Sequence, residues 1–205
     1  MNQPTGLVAI LRGVRPDEIL AIGSALIEAG FPAIEIPLNS PQPFDSIERL
    51  AAASPSTCVV GAGTVLTVDD VVRAESAGAR IIVAPNADQD VIAAAVTRGL
   101  RPYPGVATPT EAFRAVAAGA ISLKLFPSNA VGISGMSAWR SVLPTNVEML
   151  PVGGVDEHNL AEWAAAGAGG AGIGSSLYRP GDEADVVGRR ARALTHIWSE
   201  AERNA

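Results

Sequence analysis

Short apolar runs alternate along this chain with longer stretches whose apolar residues recur at helical spacing. The runs predict eight strands, near 7–11, 33–37, 58–61, 80–84, 101–103, 121–125, 148–152 and 170–174. The stretches between and after them predict helices near 16–29, 43–53, 68–77, 88–98, 109–118, 135–143, 156–166 and 183–202. A cassette of helix end, glycine and strand repeats at Gly30, Gly78, Gly99, Gly119 and Gly167. Glycine suits the left-handed position that ends a helix. The intervals are roughly 20–24 residues or twice that, the length of one strand–helix pair. Thr67, Thr108 and Asp156 stand where helix caps are expected, and Pro16 and Pro109 where early helix positions are expected. The last helix carries Val187, Ala191, Leu194, Ile197 and Ala201 on one stripe, with Arg189, Arg190, Arg192 and Glu200 off it.

Eight such pairs in about 200 residues predict an α/β chain folded as a (β/α)8 TIM barrel, one domain over residues 1–205. A doubly wound sheet is the alternative, but it needs fewer strands and a crevice between two halves. No linker or low-complexity tract divides the chain.

Composition narrows the function. Hydrophobic residues make up 48% of the chain and aromatic ones 4%, which favours close helix-on-strand packing over a ring-filled sandwich. The net charge of −6 argues against nucleic acid as a partner. Cys58 is the single cysteine, so no disulfide framework exists. The start, Met1-Asn-Gln-Pro-Thr-Gly6, lacks a basic leader, and no apolar run has the length of a membrane span. The expected location is the cytoplasm. His158 and His196 have no ligand-spaced partners, so neither metal nor cofactor is expected.

In a barrel, ligands sit at the C-terminal ends of the strands. In Ala120-Ile-Ser-Leu-Lys-Leu-Phe-Pro-Ser128, alternation puts Ile121, Leu123 and Leu125 toward the helices and turns Ser122 and Lys124 inward. Glu35 has the same parity between Ile34 and Ile36. A lone inward charge is costly, so an amine and a carboxylate together point to one polar cavity. The plain alternatives are a lysine reaching for water at a strand end and a structural ion pair. Gly153-Gly154 and Gly174-Ser175-Ser176, at the ends of the seventh and eighth strands, offer free backbone amides to a phosphate, or are merely tight turns. Arg12, ending the first strand, suits a carboxylate, with Thr64 adding a hydroxyl; otherwise Arg12 is a solvated loop residue.

A desolvated lysine is a nucleophile that forms an imine with a keto group, and a nearby glutamate can move the protons. Together these residues point to Schiff-base cleavage of a phosphorylated 2-keto acid. A phosphosugar epimerase or isomerase using Glu35 as base with Lys124 only as electrostatic help, and a silent phosphosugar-binding barrel, are the competing readings.

Six ordered motifs then carry a resemblance across nearly the whole chain. They are Ile10-Leu-Arg-Gly13, Glu35-Ile-Pro-Leu-Asn-Ser40, Gly61-Ala-Gly-Thr-Val-Leu66, Lys124-Leu-Phe-Pro-Ser128, Val152-Gly-Gly-Val155 and Gly172-Ile-Gly-Ser-Ser-Leu-Tyr178. The chain resembles the class I 2-keto-3-deoxy-6-phosphogluconate/galactonate aldolases. The resemblance implies Lys124 as the Schiff-base lysine and Glu35 as the general acid/base. It implies Thr64 and Arg12 at the pyruvate end, and Gly153, Gly154, Ser175 and Ser176 at the phosphate, with Ser128 helping there. It also implies a homotrimer, although no seam is visible in the sequence. Gluconate-type members resemble one another in an arginine four residues beyond the glutamate and Thr-Gly-Gly at the seventh strand. Here those positions hold Asn39 and Val152, and an arginine stands at position 12. That pattern resembles the phosphogalactonate branch; gluconate or dual-epimer activity is the alternative.

Overall fold

Strand and helix alternate from β1 (Gly6–Ile10) and α1 (Ile19–Glu28) through β2 (Ala33–Pro37), α2 (Pro43–Ala53), β3 (Val59–Gly63), α3 (Val68–Ser76), β4 (Ile81–Val83) and α4 (Gln89–Thr97). They continue as β5 (Arg101–Tyr103), β6 (Gly105–Val106), α5 (Pro109–Ala117), β7 (Ser122–Leu125), α6 (Ser128–Arg140), β8 (Glu148–Pro151), α7 (Leu160–Ala165), β9 (Gly170–Ile173) and α8 (Ala184–Arg203). This computed structural model describes residues 5–203. Met1 to Pro4, the stretch expected to lack a basic leader, lie outside the described residues, as do Asn204 and Ala205.

Every pairing is parallel. One set runs β5-β4-β3-β2-β1-β9 and the other β6-β7-β8. The sets join at both edges. Pro104 has no amide hydrogen, so the fifth stave is broken there into β5 and β6. Its first half pairs with β4 and its second with β7, and the Lys124 amide donates to the Pro104 carbonyl at 2.9 Å. On the far side, Gly169 N–H donates to Met149 O at 3.0 Å and Val152 bridges Gly172. Eight staves therefore close into a ring with helices outside: a (β/α)8 barrel.

Alternation sorts the core as the sequence pattern requires. Leu7, Ala9, Ile34, Ile36, Val60, Ala62, Leu123 and Leu125 pack outward against the helices. Val8, Ala33, Ile81, Val83, Tyr103 and Leu150 form a separate inner cluster. On α8 the buried stripe is Val187, Ala191, Leu194 and Trp198, with Ile197 and Ala201 only partly buried.

Three helix starts differ from expectation. Pro16 lies in a turn ahead of α1, where the Glu18 carboxylate accepts from the Arg15 amide at 3.0 Å. Asp156 accepts from the His158 amide at 2.9 Å in a turn before α7 and does not cap it. Helix α6 begins at Ser128, seven residues early, and breaks at Gly132 with φ +73°, which is why no apolar period announces its first half. The other caps are as expected. Thr67 accepts from the Asp70 amide at 3.1 Å, and Thr108 with Glu111 forms a reciprocal capping box behind Pro109.

The N-terminal end of the ring is closed by a polar network that alternation alone did not reveal. Arg101 donates through Nε to Ser122 Oγ at 2.8 Å and pairs with Glu148, and Ser122 donates to Glu148 at 2.7 Å. The Thr5 amide donates to Glu148 at 3.0 Å, and Tyr103 OH lies 2.7 Å from Thr5 Oγ1. Among the described residues, no helix is long and apolar enough to cross a membrane.

Candidate active site

Lys124 and Glu35 both line the barrel interior, in one small cavity with Val8, Ile10, Val83, Tyr103, Leu150, Val152 and Gly172. The cavity is about 20 Å³, room for a water molecule but not for a sugar acid, so a substrate reaches the pair from the open C-terminal end. Lys124 is 5% exposed and Glu35 1%. Glu35 sits opposite Gly61 in the pairing with β3, and Lys124 opposite Leu150 in the pairing with β8.

Burial dominates the titration of both groups. It pushes the Glu35 carboxyl up to about 7, against the opposing pull of the Lys124 and Arg12 charges. The same desolvation drives the Lys124 ammonium down, Glu35 works against it, and the Arg12 charge adds to the lowering. The Lys124 Nζ lies 4.7 Å from the centre of the Phe126 ring. Glu35 Oε2 is buried with no hydrogen-bond partner among the described residues. A buried carboxylate oxygen left open is costly, and it is poised to accept or give a proton to whatever enters.

Above the pair, the ends of the first three staves meet at an arginine. Arg12 Nη1 donates to Asn39 Oδ1 at 2.6 Å and approaches Thr64 Oγ1 at 3.5 Å. Thr64 has φ +55°, a conformation that a β-branched residue rarely adopts and that aims its hydroxyl along the rim. Asn39 is a rim residue that sequence reasoning noted only as a replacement; its role in holding Arg12 had no local signal.

Next around the rim, beside the first stave, Gly153 (φ +100°) and Gly154 (φ +79°) follow β8, and Ser175 and Ser176 follow β9. Nothing crowds either glycine closely, so their left-handed backbone, not space, calls for glycine there. Among the described residues, the amides of Gly154, Ser175 and Ser176 donate to no other group of the chain, while that of Gly153 faces Gly172 in the Val152–Gly172 bridge. Ser128 and Ser176 turn their hydroxyl hydrogens to the carbonyls of Gly153 and Val155, each at 2.8 Å. The structure thus places these eight residues at one end of the barrel: Glu35 and Lys124 inside it, Arg12 and Thr64 at the ends of the first and third staves, and the glycine–serine loops at the ends of the seventh and eighth, beside the first.

A closed (β/α)8 ring with a desolvated amine and carboxylate under its C-terminal mouth is the architecture of a barrel enzyme. The family profile described as KDPG and KHG aldolase matches residues 2–187, and the chain belongs to that aldolase family. It is 52% identical, over 94% of its length and 90% of the relative's, to a protein of Rhizobium meliloti (strain 1021) named probable 2-dehydro-3-deoxy-6-phosphogalactonate aldolase. It is 47% identical, over 95% of each chain, to the 2-dehydro-3-deoxy-6-phosphogalactonate aldolase of Escherichia coli (strain K12). A solved structure described as native KDPGal superposes with a TM-score of 0.94 at 46% identity, covering 96% of each chain.

Proposed function

We propose that residues 1–205 act as one catalytic barrel, a class I aldolase that cleaves 2-dehydro-3-deoxy-6-phosphogalactonate to pyruvate and D-glyceraldehyde 3-phosphate through an imine on Lys124. The observation that carries this reading is the placement of Lys124 and Glu35 in one small buried cavity, where burial holds the amine toward its neutral form. The substrate follows from the two similar proteins named for it and from Asn39, Val152 and Arg12.

The neutral amine adds to the C2 carbonyl, and the carbinolamine loses water, its hydroxyl leaving with a proton from Glu35. The ionised Glu35 then takes the C4 hydroxyl proton. The C3–C4 bond breaks, its electrons pass into the iminium to give an enamine, and the aldehyde leaves. Glu35 returns its proton to C3, and water hydrolyses the imine to free pyruvate and Lys124. Arg12, steadied by Asn39 and Thr64, binds the substrate carboxylate, and the loop amides bind the phosphate. A carboxyl whose pKa sits near 7 is suited to both proton transfers at neutral pH.

Such a multiply charged substrate does not cross a bilayer unaided, which supports a cytoplasmic location. The homotrimer implied by the resemblance needs an apolar seam. Leu66 and Val68, 49% and 43% exposed around the start of α3, are side chains of the kind such a seam covers, and sedimentation measures the assembly.

The test is borohydride reduction with pyruvate present. The expected result is one stable adduct on Lys124; turnover without any adduct would favour an epimerase or isomerase. The ratio of kcat/KM for the phosphogalactonate and phosphogluconate epimers then ranks the two substrates.

A further inference from the structure

We infer that Asn159 and Arg179, with Ser128 and Ser176, are positioning residues that make the phosphate loops present only amide donors. The inference rests on the phosphate reading above and concerns side chains that never touch the ligand in it. A glycine loop shows an anion both N–H groups and carbonyl oxygens, and the oxygens repel it unless they are turned away. Here each is held. The carbonyls of the consecutive residues Gly153, Gly154 and Val155 accept, respectively, from Ser128 Oγ, Asn159 Nδ2 and Ser176 Oγ, all at 2.8 Å. On the second loop the Ser175 carbonyl accepts from Arg179 Nε at 3.1 Å, and the Gly174 carbonyl from the amides of Leu177 at 2.9 Å and Tyr178 at 3.0 Å.

The four side chains come from different places: the start of α6, the turn before α7, and the stretch after β9. Ser176 ties the second loop to the first, so the two halves keep one spacing. Asn159 acts at both ends, because its Oδ1 also accepts from the Asp156 amide at 3.1 Å while its Nδ2 holds Gly154. Arg179 is exposed and adds a positive charge beside an otherwise amide-built site. With these five carbonyls engaged, three on the first loop and two on the second, the amides of Gly154, Ser175 and Ser176 remain for the phosphate.

The experiment compares Asn159→Ala, Arg179→Ala and their double variant with the parent on two substrates, the 6-phosphorylated keto acid and its dephosphorylated counterpart. Borohydride trapping of pyruvate serves as a phosphate-independent check that the site is folded. Loss of one tether should reduce kcat/KM for the phosphorylated substrate about fivefold, and both about twentyfold or more. The dephosphorylated substrate and the trapping rate should stay at the parent's level. Asn159→Asp keeps the acceptor for Asp156 but loses the donor to Gly154, so it should lose at least as much as Asn159→Ala. A parallel fall on both substrates, no fall on either, or full activity in Asn159→Asp would overturn the inference while leaving the phosphate reading intact. A parent with no preference for the phosphorylated form would overturn the phosphate reading, and the positioning role with it.

Discussion

A methyl group placed on Gly63 would lie 1.6 Å from Glu35 Oε2. The end of β3 is therefore bare so that the carboxylate of β2 can lie flat across it. Gly63→Ala should push the carboxylate off its position. The expected outcome is a fall in kcat of about tenfold or more, with slower pyruvate trapping on Lys124 and an unchanged circular dichroism spectrum. Parent-level kcat would mean that Glu35 works from another position.

Lys124→Ala should abolish turnover and the reducible adduct together. Residual activity within tenfold of the parent would remove Lys124 as the nucleophile.

Glu35→Gln should slow turnover by ~10²–10⁴ and remove the limb of the kcat/KM profile that falls through about pH 7, where the free enzyme loses the proton that Glu35 gives to the carbinolamine. It should also change stability with pH. In the fold Glu35 keeps its proton up to about 7, against an ordinary value of 4.5. Between those values the folded chain binds more protons than the unfolded one, so stability falls as pH rises, and above 7 the penalty levels off at ~3 kcal/mol. The Tm advantage of Glu35→Gln over the parent should accordingly be larger at pH 8 than at pH 5, by ~5–10 °C. Equal Tm differences at the two pH values would contradict the raised carboxyl.

Asn39→Ala frees the Arg12 guanidinium from its 2.6 Å partner. The expected effect is a KM raised about fivefold with kcat nearly kept, because the amine and carboxylate below are untouched. A loss confined to kcat would instead put Arg12 in the chemistry.

Glu148→Ala removes the acceptor that Thr5, Arg101 and Ser122 share at the closed end of the ring. Breaking a mostly buried pair from one side costs about 3 kcal/mol. The Tm should drop by ~6–12 °C, with activity per folded molecule retained at low temperature.

Much of this is legible in the sequence. Period-two alternation placed Glu35 and Lys124 inward because their neighbours Ile34, Ile36, Leu123 and Leu125 need the helices, and a parity argument requires no tertiary detail. The glycine cassette gave the repeat length and hence the ring. What escaped reading depends on residues distant in sequence. Thr5, Arg101, Ser122 and Glu148 meet only because the ring closes, and each alone resembles an ordinary strand-end polar residue. The first half of α6 was hidden because Gly132 interrupts it and no apolar stripe marks it. The holding roles of Asn39 and Asn159 are silent for a similar reason, since an amide that steadies another side chain or a loop leaves no spacing signature.

The Arg101–Glu148 network makes the barrel a cul-de-sac. Among the described residues the N-terminal end is shut, so traffic passes through the C-terminal mouth, and in the proposed reaction the three-carbon keto fragment is both covalently tethered and deepest. The aldehyde, held only at the threshold, must depart before its companion can, so release follows a fixed sequence imposed by the architecture of the vessel.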